Sequence, residues 1–338
     1  MPRKPERRKC ARQLVALAIT VATALTAAET PRPTEPAPPA MITRSDYLGW
    51  HDAFLLSNGI VEAVVVPSIG RVMQFRFAGE PDGPFWGNSA LCGQTPDPAS
   101  ATWVNFGGDK AWPAPQDDWV PIASRGWPPP RGFDGLPMEA VRDGAAVILV
   151  SAVDPNYGIR VRRRIELTPG RPVMTMTTRF EKMSGEPLEI GVWTITQARD
   201  PVALYAVLPD APRPDPAYIR QSDELPASLR IVDNVIALTR DPQKNHKIGA
   251  LAGTLFWVGQ RELLRIDSPL LPGARYPDQG SSVEVYTNAD PLAYVELEIL
   301  GPVEKLAVGG SIERRTTYTL AKRTRNDSAQ EIQEMLRP

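Results

Sequence analysis

Residues 146–153, 159–167, 172–181 and 188–197 are four strand-like stretches of similar length, rich in β-branched and apolar side chains and parted only by turn residues. Almost no helical stretch fits between them, and strands at this spacing build a sandwich or a barrel. Side chains alternate within them. Val161, Arg163 and Ile165 share one face, with Arg160, Arg162, Arg164 and Glu166 on the other; Met174, Met176 and Thr178 alternate with Thr175, Thr177 and Arg179. That is the pattern of sheets with one wet face. Further strand-like runs lie earlier, at 60–66 and 72–77, joined through Pro67-Ser68-Ile69-Gly70. Others follow at 229–238, 251–258, 263–267, 282–287, 293–300 and 315–320. Only residues 327–336 look helical. Proline, at 36 residues against 25 glycines, favours strands and rigid loops over long helices. The expectation is an all-β protein: one large antiparallel sandwich over residues 43–323 with long Trp/Pro-rich loops, no internal repeat, and a peripheral tail at 324–338. The alternative is a division into two domains near Ala140.

The N-terminus has a secretory pattern. Arg3, Lys4, Arg7, Arg8, Lys9 and Arg12 precede an uncharged Ala/Val/Leu-rich run at 14–25, and Thr26-Ala27-Ala28 offers a small-residue cleavage site. The run is short for a bilayer span, so residues 1–28 are expected to be a signal peptide rather than an anchor, and the protein periplasmic or secreted. Residues 29–42 are a Pro-rich linker. Cleavage leaves 32 basic and 38 acidic residues, a net charge near −6. An acidic chain without a basic stripe is a poor nucleic-acid binder. Of the two cysteines only Cys92 remains, which excludes an intrachain disulfide.

Residues 103–133 hold four of the eight tryptophans: Trp103, Trp112, Trp119 and Trp127. They alternate with Asn105, Asp109, Lys110, Gln116, Asp117 and Asp118. Pro113, Pro115, Pro121 and Pro128 to Pro130 break both helical and strand periodicity, so a long irregular loop is expected, and ordered loops of that length are usually functional. Flat apolar faces beside amides and carboxylates suit a ligand with C–H faces and hydroxyl rims, as a sugar has; the other reading is a loop that buries its own tryptophans. Gly107-Gly108 permits close backbone approach to a ligand. Two strands carry acids. In residues 281–288 Glu284 and Tyr286 face one side, and in 294–300 Glu296 and Glu298 share a face opposite Val295, Leu297 and Ile299. Each reads equally as an ordinary solvated face. Lys244, Asn245, His246 and Lys247 form a weaker group on a loop. The chain lacks a phosphate-cradling Gly-Lys-Ser loop, a dinucleotide fingerprint, H-E-x-x-H and CxxC. With only His51 and His246 in the chain, a histidine-rich metal cluster cannot be built. No metal or cofactor is expected.

The opening SNGIVEAVVVPSIGRVMQFRF resembles the first strands of the galactose mutarotase (aldose 1-epimerase) superfamily. NFGGDKAWPAPQ, GWPPP and the late EVYTN with VELEILGP are similar to a bacterial branch known as a domain of unknown function. The resemblance spans residues 46–322. It implies a β-supersandwich with a carbohydrate-facing concave sheet, a glutamate that takes the anomeric proton, and a histidine that protonates the ring oxygen. By position Glu284 or Glu296 is the carboxylate. Where the superfamily places its histidine this chain has Trp193, Thr194, Thr196 and Gln197, which leaves Lys110 or His246 as substitute acid. The expected site is therefore Glu284, Lys110 and His246 for chemistry. Asn105, Asp109, Trp112, Gln116, Trp119, Trp127, Trp193, Gln197, Glu296 and Glu298 would contact a mono- or oligosaccharide. A non-catalytic glycan-binding module and an envelope interaction module are the alternatives.

Overall fold

A computed structural model describes residues 37–97, 100, 102–210 and 215–337. The expected signal peptide and most of the linker lie outside them. In chain order the strands begin with β1 (Met41–Tyr47), β2 (Trp50–Ser57), β3 (Val61–Val66), β4 (Arg71–Phe77), β5 (Asp109–Ala114), β6 (Glu139–Asp143) and β7 (Ala146–Val153). Next come β8 (Ile159–Leu167), β9 (Val173–Lys182), β10 (Leu188–Arg199), β11 (Ala203–Val207), β12 (Ile219–Arg220), β13 (Arg230–Val232) and β14 (Val235–Leu238). The last are β15 (His246–Ala250), β16 (Thr254–Val258), β17 (Glu262–Asp267), β18 (Val283–Thr287), β19 (Tyr294–Leu300), β20 (Glu304–Leu306) and β21 (Ser311–Lys322). Two short helices, α1 (Trp119–Ala123) and α2 (Ser328–Leu336), complete the elements used below.

The strands form two antiparallel sheets. One runs β1-β2-β3-β4-β5-β10-β19-β18-β15-β12, with β20 also on β10; the other runs β13-β14-β11-β16-β17-β21-β9-β8-β7-β6. The main core lies between them. Val295, Leu297 and Ile299 of β19 and Val283 and Val285 of β18 meet Leu149, Ile165, Met174, Met176, Ile266 and Leu320 of the opposing sheet. β8 shows the cause: its buried positions alternate strictly from Ile159 to Leu167, as a pleat requires. That parity also draws Arg163 inside, where it is fully buried and pairs with Asp109.

The four central strands expected from the sequence are present with nearly the same limits. The turn between β3 and β4 is a short 3-10 segment, Pro67–Ile69, closed by Gly70 at φ 64°. A Cβ there would meet the Met138 side chain at 3.0 Å, so glycine suits both the turn and its neighbour.

Three expectations fail for local reasons. The single strand at 229–238 is a tight hairpin of β13 and β14, folded at Asp233, whose φ is 55°. The group 244–247 is not a loop, because His246 and Lys247 open β15. The tryptophan segment is not wholly irregular, because residues 109–114 form β5 despite Pro113. β5 pairs with β10 along its length, but with β4 only at Val72↔Asp109. Beyond that pair no described strand pairs with its other edge, and a proline can face such an edge without breaking a ladder.

Candidate functional site

The site is built on the face of the first sheet turned away from the core. Parity decides its composition. On β5, Lys110 and Trp112 point outward while Asp109 points between the sheets. On β10 the outward residues are Trp193, Ile195 and Gln197, on β19 Glu296 and Glu298, and on β18 Glu284 and Tyr286. The register sets them side by side: Trp112↔Trp193, Lys110↔Ile195, Gln197↔Glu296, Glu296↔Tyr286, Glu298↔Glu284 and Tyr286↔Lys247. A cavity of about 310 Å³ stands over this grid, lined by Trp103, Trp112, Gln116, Trp127, Trp193, Lys247, Tyr286, Tyr294, Glu296 and Glu298.

Its wall is a cluster of perpendicular indoles. Trp112 lies edge-to-face with Trp103, Trp127 and Trp193 at centroid separations of 6.1, 5.7 and 5.2 Å. One carboxylate oxygen, Oδ2 of Asp134, accepts the indole N–H of both Trp103 and Trp112 at 2.9 Å, while Oδ1 accepts from Arg71 at 2.6 Å. Asp134, which the sequence reading did not single out, thus orients half of the aromatic wall.

Two lysine–carboxylate sets form the floor. Lys110 Nζ donates to Glu296 Oε1 at 3.0 Å, the oxygen that also accepts from Gln197 Nε2 at 2.9 Å. Burial pushes the Lys110 ammonium below its usual range, with nearby Arg71 adding to the effect against the pull of Glu296. Lys247 Nζ stands 2.6 Å from Glu284 and 3.1 Å from Glu298. Neither Glu284 oxygen has a well-aligned hydrogen bond despite that short contact, so the attraction is an ion pair rather than a directed bond. Burial raises both carboxyls above the ordinary range. It works against the Lys247 ammonium too, but Glu298 and Glu284 outweigh it and hold that proton more tightly than usual. Trp193 Nε1 completes the set by donating to Glu298 at 2.8 Å. The Tyr286 hydroxyl, pushed up to about 12 by burial and by Glu296, donates to Asn288 at 2.8 Å.

Of the expected residues, Trp112, Gln116, Trp127, Trp193, Glu296 and Glu298 line the cavity, and Lys110 and Gln197 lie directly behind Glu296. Asn105 does not line the cavity; it lies near Tyr294 at the rim, and its Oδ1 accepts from the Gly107 N–H. Four expectations need correction. Asp109 faces the core, where Arg163, Thr196 and Tyr318 all donate to its carboxylate; it is a structural anion. Trp119 is fully buried beneath the wall and donates to the Pro113 carbonyl at 2.8 Å. Glu284 lies under Lys247 with its side chain inaccessible, so the accessible carboxylate is Glu296. His246 points opposite to Lys247, as strand neighbours must; its ring bonds to the Glu224 carbonyl and Asp241, away from the cavity. Gly107, at φ 90°, serves no ligand either. A Cβ there would fall 2.3 Å from the Trp86 carbonyl oxygen, so the close approach is chain against chain.

Tyr294 and Asp134 were missed as site residues, and Trp103, Tyr286 and Lys247 were noted within their segments without an assigned contact. Had 246–250 been read as a strand, alternation would have separated Lys247 from His246. A larger cavity, about 700 Å³, lies between α2 and the β13–β14 edge. Its charged groups include Arg325 and Glu334, already paired with each other, and it has no lysine–carboxylate set. Among the described residues no group of three or more His, Cys, Asp or Glu is placed to hold a metal ion. Nor is any helix among them long and apolar enough to cross a membrane.

No protein-family model matches the sequence. No curated protein matches it either. Solved structures do match in fold. An Escherichia coli K12 protein provisionally assigned as an aldose 1-epimerase aligns at 14% identity, TM-score 0.54, over 80% of this chain and 99% of its own. A galactose mutarotase related enzyme from Lactobacillus acidophilus aligns at 12% identity, TM-score 0.52, over 81% and 98%. A galactose mutarotase-like protein from Lactobacillus casei aligns at 9% identity, TM-score 0.54, over 80% and 100%. The fold is that of galactose mutarotase-like proteins, as the opening strands and late acidic strands had suggested.

Proposed function

We propose that this galactose mutarotase-like sandwich binds a carbohydrate in the cavity over β5, β10, β19, β18 and β15. The observation that carries the reading is the pairing of an indole wall with a charged, hydrogen-bonding floor. Trp127 and Trp103 offer apolar surface to C–H groups, backed by the buried Trp112 and Trp193, and Glu296 and Lys247 offer an acceptor and a donor to hydroxyls. Ligand pockets combine a largely apolar lining with a few fixed polar groups in this way. Tryptophan fluorescence during titration with mono- and oligosaccharides tests it. A saturable change with some member of the panel is expected; a flat response across the panel would sink the reading.

A second reading, aldose 1-epimerase-like chemistry, has one specific support. Glu296 keeps part of its carboxylate accessible and sits 3.0 Å from Lys110, whose proton is loosened by burial. Epimerisation at an anomeric carbon needs a base at the exocyclic hydroxyl and an acid at the adjacent ring oxygen, and proton transfers of this kind need both groups within hydrogen-bond reach. Glu296 fits the first role. Lys110, buried behind it and off the cavity lining, tunes the Glu296 carboxylate and does not reach the ring oxygen, so the acid of this reading has no direct occupant among the two. The base assignment moves from Glu284 because Lys247 covers it. Polarimetry of fresh α-glucose and α-galactose decides between enzyme and binder: rates equal to buffer alone, with binding intact, leave a non-catalytic module.

The reading includes export. The basic-then-apolar pattern of residues 1–28 supports it, and sequencing of the mature N-terminus from a periplasmic or culture fraction tests it.

A further inference from the structure

A second cavity, about 810 Å³, adjoins the first. It is lined by Gln116, Asp117, Asp118, Gln221, Lys247, Arg275, Asp278 and Gln279 among others. Gln116 and Lys247 belong to both cavities, so the two meet along these side chains. Their chemistry differs. The first is walled by four indoles; the second has Tyr276 as its one aromatic ring and a few aliphatic residues such as Val120 and Val303, and is richer in amides, carboxylates and cations. Its charges are mixed, three aspartates against Lys247 and Arg275, which favours neither an anion nor a cation. Its amides are held in place. Gln221 Nε2 donates to the Asp278 carbonyl at 3.2 Å and lies 3.4 Å from Ser281 Oγ, and Gln116 Nε2 donates to the Gly126 carbonyl at 3.4 Å. Asp278, whose carboxyl is raised chiefly by burial, is also attracted by the Lys247 ammonium. Lys247 and Gln116, common to both linings, link the polar groups of the two cavities.

We infer that the ligand is an uncharged oligosaccharide of at least two rings, one stacked among the tryptophans and the next hydrogen-bonded in the Gln221–Asp278 cavity, with Lys247 and Gln116 beside the glycosidic linkage. This rests on the carbohydrate reading above. A lone monosaccharide uses only the indole cavity and leaves the polar one to water. A second ring adds hydrogen bonds to groups already ordered, so it gains affinity without the cost of arranging them.

The test is calorimetric and fluorescence titration of the full chain with glucose, galactose and N-acetylglucosamine, and with maltose, cellobiose, lactose and chitobiose. At least one disaccharide is expected to bind about tenfold or more tighter than its own monosaccharide, a gain of about 1.4 kcal/mol. Gln221→Ala, which trims the second cavity, and Val303→Trp, which fills it, should each remove that gain and leave monosaccharide binding unchanged. Equal affinity for a monosaccharide and its disaccharides overturns the two-ring inference and leaves the carbohydrate reading standing. A disaccharide gain that survives both substitutions also overturns it, because the second ring then lies elsewhere. No response to any sugar overturns both.

Discussion

Replacing Lys247 with methionine removes one charge from the floor of the cavity and keeps the length of its side chain. The ammonium stands 2.6 Å from Glu284 and 3.1 Å from Glu298, two carboxylates directly opposite each other across β18 and β19. At an effective dielectric near 20 each contact is worth roughly 5–6 kcal/mol of Coulomb attraction. Desolvation of three buried ions offsets most of this, and removing one partner of such a set typically costs about 3–5 kcal/mol. The loss depends on pH. Both glutamates already hold their protons more tightly folded than unfolded, so their contribution is fully favourable below the unfolded carboxyl range and is lost as pH rises through the folded values. Without Lys247 those folded values climb further. We predict a loss of about 3–5 kcal/mol at pH 8 that shrinks to about half or less at pH 5, where the pair can take up protons. Urea unfolding at both pH values, with unchanged m, measures it. A further substitution, Glu284→Gln with Glu298→Gln on the Lys247→Met chain, should recover much of the pH 8 loss. A loss below about 1 kcal/mol, or one identical at the two pH values, would refute the idea that one cation holds two buried carboxylates.

Arg163→Leu should destabilise by about 3–5 kcal/mol, because Asp109 is left buried with only the Thr196 and Tyr318 hydroxyls; a small effect by thermal unfolding would place the anion elsewhere. Asp134→Ala should unpair Arg71 and release both indole N–H groups, with loss of near-ultraviolet circular dichroism from Trp103 and Trp112 and a stability cost of about 3 kcal/mol. A near-ultraviolet spectrum unchanged from wild type would argue against its anchoring role. Trp127 is 53% exposed, so Trp127→Ala should cost no more than about 1 kcal/mol yet abolish most of the sugar response. Retention of that response would remove Trp127 from the binding wall.

Most of the fold was legible because alternation is a local signal. β7 and β8 have the limits the sequence suggested, and β9, β10, β18 and β19 differ by a residue or two, since a half-buried strand writes its period directly into the chain. The failures share a cause, which is pairing that local sequence does not encode. β5 exists because β10 lies beside it, and Pro113 is harmless because little lies on the other edge. β15 begins at His246 because Thr287 of β18 pairs there, which no property of residues 244–247 announces. The acidic strands were read with the right parity, but their depth was not. Glu284 and Glu298 were expected on a sheet face open to solvent or ligand, and they are buried because Lys247 arrives from the strand beside β18.

Parity also explains why one lysine and one aspartate, adjacent in sequence, have unrelated roles. Asp109 and Lys110 look like a single ion pair at a turn. On a strand they face opposite ways, and each finds its partner on a different element: Arg163 of β8 across the core, Glu296 of β19 beneath the indoles. The two pairs are coupled through the backbone of β5, so the buried Asp109–Arg163 contact fixes the strand whose outer face carries Lys110 and Trp112. Loss of the inner pair should therefore disturb the outer cavity even where the chain stays folded. A variant such as Arg163→Lys, which keeps a charge but not the fork of donors, should weaken sugar binding more than its stability change alone accounts for. Unaltered binding in a measurably destabilised Arg163→Lys chain would show that the two faces of β5 act independently.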